Sequence, residues 1–288
     1  MENNNHPLVA VVLATHNQAA KLGRAMESVL SQSYQNLQLM VVDGGSTDNT
    51  KSIVEMFLKD PRVKYLYQEK RGSNVFLMNY GISVSTAKYI AILDDDDFWA
   101  NPDKITKQVE FLEAHPDHVL VGGGAIKTDE TGKETVRYLM PETDEAIRQN
   151  LLTSSMFVHI SVMYKKDAWQ KTGGYDKEFG GAADWDLWLK MGTVGKLHNI
   201  PEIFVSYTPH PTDNPSYVER SHSKWDWLQI NLALKKKFKN QYPHYTKAVV
   251  VAWLGYGYSL LPFRRRLWTT MFKLRSLMFG DFTYGNKS

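Results

Sequence analysis

Apolar and polar positions along the first hundred residues switch repeatedly between two periods. Leu8–Ala14 is a continuous apolar run and reads as a buried strand. Gln18–Ser31 then carries Leu22, Met26, Val29 and Leu30 at helical spacing. Leu37–Val42 reads as a second strand, and Asp48–Lys59 as a helix capped by Ser46 or Asp48. Val63–Tyr67 is a third strand, Asn74–Val84 a helix and Tyr89–Leu93 a fourth strand. Such alternation predicts a mostly parallel sheet covered on both faces by helices. Asn101-Pro102 opens a further helix, with proline at its first position, running to Ala114.

The middle of the chain is less regular. Val119–Ile126, Glu134–Tyr138 and His159–Tyr164 read as strands. Lys166–Thr172 reads as a helix stopped by Gly173-Gly174, and Asp184–Met191 as a helix rich in Trp and Leu. Pro209–Pro215 reads as a loop, and from Tyr217 onward the chain reads as helices. There is no internal repeat and no low-complexity linker.

The 288 residues are 43% hydrophobic and 12% aromatic, enough to build a sizeable core. A net charge of +3 does not argue for nucleic acid as a partner. The chain has no cysteine, which excludes a disulfide framework, cysteine catalysis and zinc–thiolate sites. That suits a reducing cytosol. The first residues, MENNNHP, have neither a basic n-region nor an apolar h-region, so no signal peptide is expected.

Directly behind the fourth strand stands Asp94-Asp95-Asp96-Asp97. Four adjacent carboxylates raise one another's pKa unless a cation neutralises them. A divalent metal with hard oxygen ligands is the natural counter-ion. In an extended segment Asp94 and Asp96 point the same way, because strand side chains alternate. The strand is expected to deliver them to a metal at the C-terminal edge of the sheet, where open α/β sheets bind ligands. A solvated acidic turn is the alternative. A phosphatase of the Asp-x-Asp-x-Thr type would need Thr where Phe98 stands, and its first Asp on strand one.

Four segments carry a family resemblance. They are VVLATHNQAAKLGRAMESVLSQSY at Val11–Tyr34, VVDGGSTDNT at Val41–Thr50, NYGISVSTAKYIAILDDDDFW at Asn79–Trp99, and GGYDKEFGGAADWDLWLK at Gly173–Lys190. A Tyr-x-x-His follows at Tyr207–His210. In this order they resemble the family 2 glycosyltransferases of the GT-A fold, over residues 8–212. The resemblance implies a Rossmann-like, mostly parallel central sheet flanked by helices, with the helical C-terminus as an extension. Residues 1–100 would form the nucleotide-sugar-binding half, 101–212 the acceptor-binding half and 213–288 the extension.

It also implies site residues. The family's Asp-x-Asp element maps onto Asp94, Asp95 and Asp96, holding Mn²⁺ or Mg²⁺ against a nucleotide diphosphate. Asp43 would accept a hydrogen bond from the base; a carboxylate can take it from uracil N3–H but not from cytosine N3, which favours a UDP-linked sugar. The family more often has a second Asp where Gly44 stands. Thr15, His16 and Asn17 would lie beside the same nucleotide, with Lys70, Arg71 and Asn79 as candidates for its ribose or phosphates. Asp184 is implied as the general base that deprotonates an acceptor hydroxyl, with Asp186 as a nearby substitute. The acidic residue that usually precedes the base is replaced by Ala183. His210 matches a histidine that completes the metal shell or touches the diphosphate. One base without a second nucleophile suits single displacement with inversion. Trp185 and Trp188 are either sugar platforms or core. A non-catalytic nucleotide-binding or scaffold protein is the competing reading, and Ala183 favours it. A nucleotidyltransferase would show a Gly-rich basic loop after strand one, where Thr15-His16-Asn17-Gln18 stands.

Ala248–Phe263 has no charged residue but holds two Gly, a Ser and a Pro, and is too short to span a bilayer. Arg264-Arg265-Arg266 and an aromatic-rich stretch to Phe282 follow. Such a stretch suits an anionic membrane surface, and equally a helical pair packed on the catalytic domain with its charged face solvated, or a dimer contact. The expected partners are thus a nucleotide-sugar donor and a saccharide or lipid-linked acceptor, the protein being cytoplasmic or peripheral on the inner face of the cell membrane.

Overall fold

Nine strands form one mixed sheet in a computed structural model that describes residues 6–69, 73–208 and 223–261. The first half is built as the hydrophobic pattern predicts. Its elements are β1 (Val9–Thr15), α1 (Ala19–Leu30), β2 (Leu37–Asp43), α2 (Thr50–Phe57), β3 (Val63–Tyr67), α3 (Asn74–Val84) and β4 (Tyr89–Ile92). These four strands are parallel, in the order β3-β2-β1-β4. Side chains along β1 alternate between two buried layers. Val9, Val11 and Leu13 pack under α1, while Ala10 and Val12 pack toward α3. Gly81 of α3 permits that second contact: a Cβ there would sit 2.8 Å from both Val12 Cγ1 and Val42 Cγ2.

The second half adds β5 (Phe98–Trp99), α4 (Lys104–Ala114), β6 (His118–Thr128), β7 (Glu134–Tyr138), α5 (Asp144–Leu151), β8 (Met163–Lys165), α6 (Lys166–Thr172), α7 (Ala183–Gly192) and β9 (Lys196–Tyr207). The sheet continues without a break as β4-β8-β6-β9-β5, with β7 paired to β6. β8 runs antiparallel to both β4 and β6, so the parallel character is interrupted where the two halves join. The strand expected at His159–Tyr164 is a 3₁₀ turn, His159–Ser161, followed by the short β8. The Ser161 hydroxyl donates to the Val158 carbonyl and locks that turn.

Two C-terminal helices complete the described chain: α8 (Lys224–Lys237) and α9 (Tyr245–Leu260). α8 starts in a reciprocal cap between Ser223 and Asp226 and buries Leu228 and Leu234. α9 buries only Ala248.

Candidate active site

β1, β2 and β4 end on the same edge of the sheet, and every expected ligand of that edge follows from their register. Thr15 pairs with Asp43, and Leu93 donates to Val12 just before the acidic run. The loops after β1 and β2 are tied together by Asn17. It adopts left-handed backbone (φ 56°), and its side-chain oxygen accepts from the Thr47 amide at 2.7 Å. Its own amide donates to Ser46 Oγ at 2.9 Å. Asn17 therefore shapes the loop pair on which His16 is displayed.

Asp43 is fully buried. Oδ1 accepts from the Ser46 amide (2.8 Å) and hydroxyl (2.7 Å), and Oδ2 from the Tyr65 hydroxyl (2.6 Å). Burial and the Asp43 carboxylate together push the Tyr65 phenol far above its usual pKa. Gly44 has a packing reason to lack a side chain, since a Cβ there would lie 2.8 Å from Leu77 Cδ1.

The acidic run is not extended, contrary to expectation. β4 ends at Ile92, and Asp94–Asp97 forms a turn in which the Asp97 amide donates to the Asp94 carbonyl. Strand alternation therefore does not set the directions of Asp94 and Asp96. Crowding the four carboxylates into a turn has an electrostatic cost. Burial, then Asp96 and Asp94, push Asp95 up to about 7, although the Thr15 hydroxyl and the His16 amide support its charge. Burial, Asp94 and Asp96 push Asp97 up to about 9, opposed by Lys21. Lys21, itself half exposed, lies 3.5 Å from Asp96. This is a site short of positive charge, which fits a divalent cation and hard oxygen donors. Among the described residues no group of three or more His, Asp or Glu is disposed to hold a metal.

Asp184 stands in the first turn of α7, where the Trp185 amide supports its charge. Burial raises its pKa above the ordinary carboxylate value, and the nearby His159 opposes the rise. The Tyr175 phenol is buried; burial first, then the neighbouring Tyr164 hydroxyl, raise its pKa, with Asp184 and Asp94 adding to the rise. Tyr175 therefore lies within electrostatic reach of both the acidic run and the α7 carboxylate. Asn79 holds Tyr175 in place: its side-chain NH₂ donates to the Tyr175 carbonyl at 2.8 Å, and its oxygen accepts from the Tyr175 amide at 3.0 Å. This amide clamps backbone, a role its sequence context did not announce.

Asp186 is directed elsewhere. It is fully buried, paired with Lys190 and with Lys237 of α8 at 2.7 and 2.8 Å. Trp185 and Trp188 are core residues. Trp188 is fully buried, and Trp185 donates its indole N–H to Leu151 O beneath the Lys235 ammonium, 4.3 Å from its ring. Neither presents a face to a sugar. Lys70, Arg71 and His210 lie outside the described residues. His159, Tyr175 and Lys21 were not anticipated as site residues, although Lys21 and Tyr175 lie inside two of the segments that carry the resemblance.

Comparison with known proteins now places the chain. Residues 10–173 match the Glycosyl transferase family 2 profile. The chain is 31% identical over 204 residues to EpsE of Bacillus subtilis, covering 69% of this chain and 72% of that one. Other curated relatives are longer, and the chain spans 24–38% of their length. Among solved structures, S. aureus TarS 1-349 in complex with UDP-GlcNAc superposes with a TM-score of 0.68 at 16% identity, covering 94% of this chain and 78% of that one. The mannosyltransferase PcManGT from Pyrobaculum calidifontis, in complex with GDP-Man and Mn²⁺, superposes with a TM-score of 0.60 at 16% identity, covering 96% and 89%. These two likenesses are of fold.

Proposed function

The chain belongs to glycosyltransferase family 2, and on that premise we propose that it moves a sugar from a UDP-linked donor to an acceptor hydroxyl with inversion at the anomeric carbon. The observation that carries this reading is the register of β1, β2 and β4, which brings Asp43 at the end of β2 and the acidic turn after β4 to one edge of the parallel sheet. Asp184 is the general base. It takes the proton of the acceptor hydroxyl while the new bond to the anomeric carbon forms, and the bond from that carbon to the diphosphate breaks on the opposite face. Its raised pKa, relative to an exposed carboxylate, makes it a better proton acceptor. Its place in the first turn of α7 fixes its direction.

Asp94 and Asp96 would hold Mn²⁺ or Mg²⁺. When bound, that ion supplies Lewis-acid stabilisation of charge on the departing diphosphate. The Thr15 hydroxyl and the His16 amide lie beside Asp95. Asp43 is an acceptor-only group at the end of β2, suited to the N3–H of uracil. Its Oδ2 accepts from the Tyr65 hydroxyl alone and keeps a lone pair for a further donor. The acceptor is a saccharide or a lipid-linked saccharide, as in polysaccharide or glycolipid assembly.

The test is a thermal-shift panel of UDP, dTDP, GDP, CDP and ADP, each with and without Mn²⁺ or Mg²⁺. A ligand of the native state raises stability by mass action. UDP is expected to raise the melting temperature only with metal, and the rise is lost in Asp96→Ala. A response to GDP alone would overturn the donor, and no response to any nucleotide would overturn the proposal.

A further inference from the structure

α9 is apolar on nearly every face after Lys247, and much of that apolar surface is left bare. Val250, Trp253, Leu254, Gly257 and Leu261 recur at the spacing of one helical ridge. Such a ridge ordinarily faces the core. Here Val250 is 50% exposed, Trp253 46% and Leu254 53%. α9 carries no charge after Lys247. Trp225 of α8, 48% exposed, meets Trp253 and Tyr256 edge-on and widens the ridge into an aromatic patch. Lys224 binds the Ser259 carbonyl and pins the start of α8 to the end of α9. Contiguous exposed apolar surface of this kind marks an interaction site.

Charge identifies what covers it. From Ser223 onward the chain has twelve Lys and Arg against two Asp, whereas residues 1–222 carry 22 basic against 29 acidic residues. The whole positive excess of the protein lies on the hairpin and the sequence that leaves it. Arg264-Arg265-Arg266 follow three residues after the ridge ends. Exposed tryptophan in a stretch of sequence rich in Lys and Arg and poor in acid matches the headgroup region of an anionic bilayer. No helix of the described residues is long and apolar enough to cross a membrane. We propose that the α8–α9 hairpin docks this protein on an anionic lipid surface, with the Trp225–Trp253–Leu254 face in the interface.

The test is co-sedimentation of the full chain with vesicles of phosphatidylcholine, alone or mixed with phosphatidylglycerol, at low and high salt. The chain should pellet with the mixed vesicles at low salt and leave them at high salt. Trp253→Ser with Leu254→Ser, and separately Arg264→Gln with Arg265→Gln and Arg266→Gln, should each weaken partitioning about tenfold or more. Melting temperature and nucleotide response should not change. Failure to pellet with anionic vesicles, or pelleting that neither variant alters, overturns the proposal. So does loss of self-association in the tryptophan variant without vesicle binding by the parent, which would assign the patch to a second copy. Because vesicle binding is read without turnover, its failure leaves the donor assay untouched.

Discussion

Asp184 and Asp186 stand two residues apart at the start of α7, and the Asp186→Ala variant separates their roles. Asp186 is fully buried, with Lys190 2.7 Å from Oδ2 and Lys237 2.8 Å from Oδ1. Alanine removes the anion and leaves two ammonium groups facing a small void. Removing one partner of a buried pair costs about 3–5 kcal/mol. The lower end applies here, because the Lys237 side chain is 38% exposed and has Asp176 as a second partner at 3.6 Å. Lys190 likewise keeps the Gly174 carbonyl. The expected loss is therefore about 3 kcal/mol. At about 2–4 °C per kcal/mol for chains of roughly this size, the melting temperature should fall by about 6–12 °C. Urea melts followed by circular dichroism give the free energy, and sugar transfer measured well below both transitions gives kcat. Turnover per folded molecule should stay within about threefold of the parent, since the base itself is untouched. A stability loss under about 1 kcal/mol would refute the buried pair. An undisturbed melt with a fall in kcat of about a hundredfold would make Asp186 the base instead.

Asp184→Asn should give the opposite pair of results: kcat falls about 10²–10⁴-fold, with no loss of melting temperature at pH 7. The raised pKa means the folded chain holds that proton more tightly than the unfolded chain, so this group's contribution is greatest below the ordinary carboxylate pKa and is lost as pH rises through the raised value. Asparagine removes that penalty, and a kcat within tenfold of the parent would end the base assignment. Gly81→Ala should destabilise by about 1–3 kcal/mol in the same urea assay, because its Cβ would lie 2.8 Å from two fully buried valines. A variant as stable as the parent would show that α3 can lift from the sheet at no cost.

The parallel half of the fold was legible because each strand is an apolar run and each helix shows its own period. The second half was harder for identifiable reasons. β9 contains Pro201 and breaks its alternation there, which argues against a central strand. The structure accommodates it by a register shift, with Gly123 opposite Ile200 and Gly124 opposite Ile203. α5 has only Ile147 and Leu151 buried, too short a stripe to stand out, although Thr143 caps it. The acidic turn misled because charge after a strand says nothing of backbone direction.

The two carboxylates of α7 mark the limit of what spacing can assign. Two residues on a helix diverge by about 200°, so one of them must turn from the cleft, but both suit the first turn equally. What separates them is remote in sequence. Lys237, fifty-one residues beyond Asp186, arrives on α8 and holds Asp186 on the buried side. His159, ahead of β8, faces Asp184 on the other. The same α8 carries Trp225 beside the exposed ridge of α9. One helix thus holds the buried carboxylate of α7 at its C-terminal end and forms part of the proposed membrane face at its N-terminal end. A lipid-linked acceptor held at that face would be presented to an enzyme whose base-bearing helix is tied to the same element.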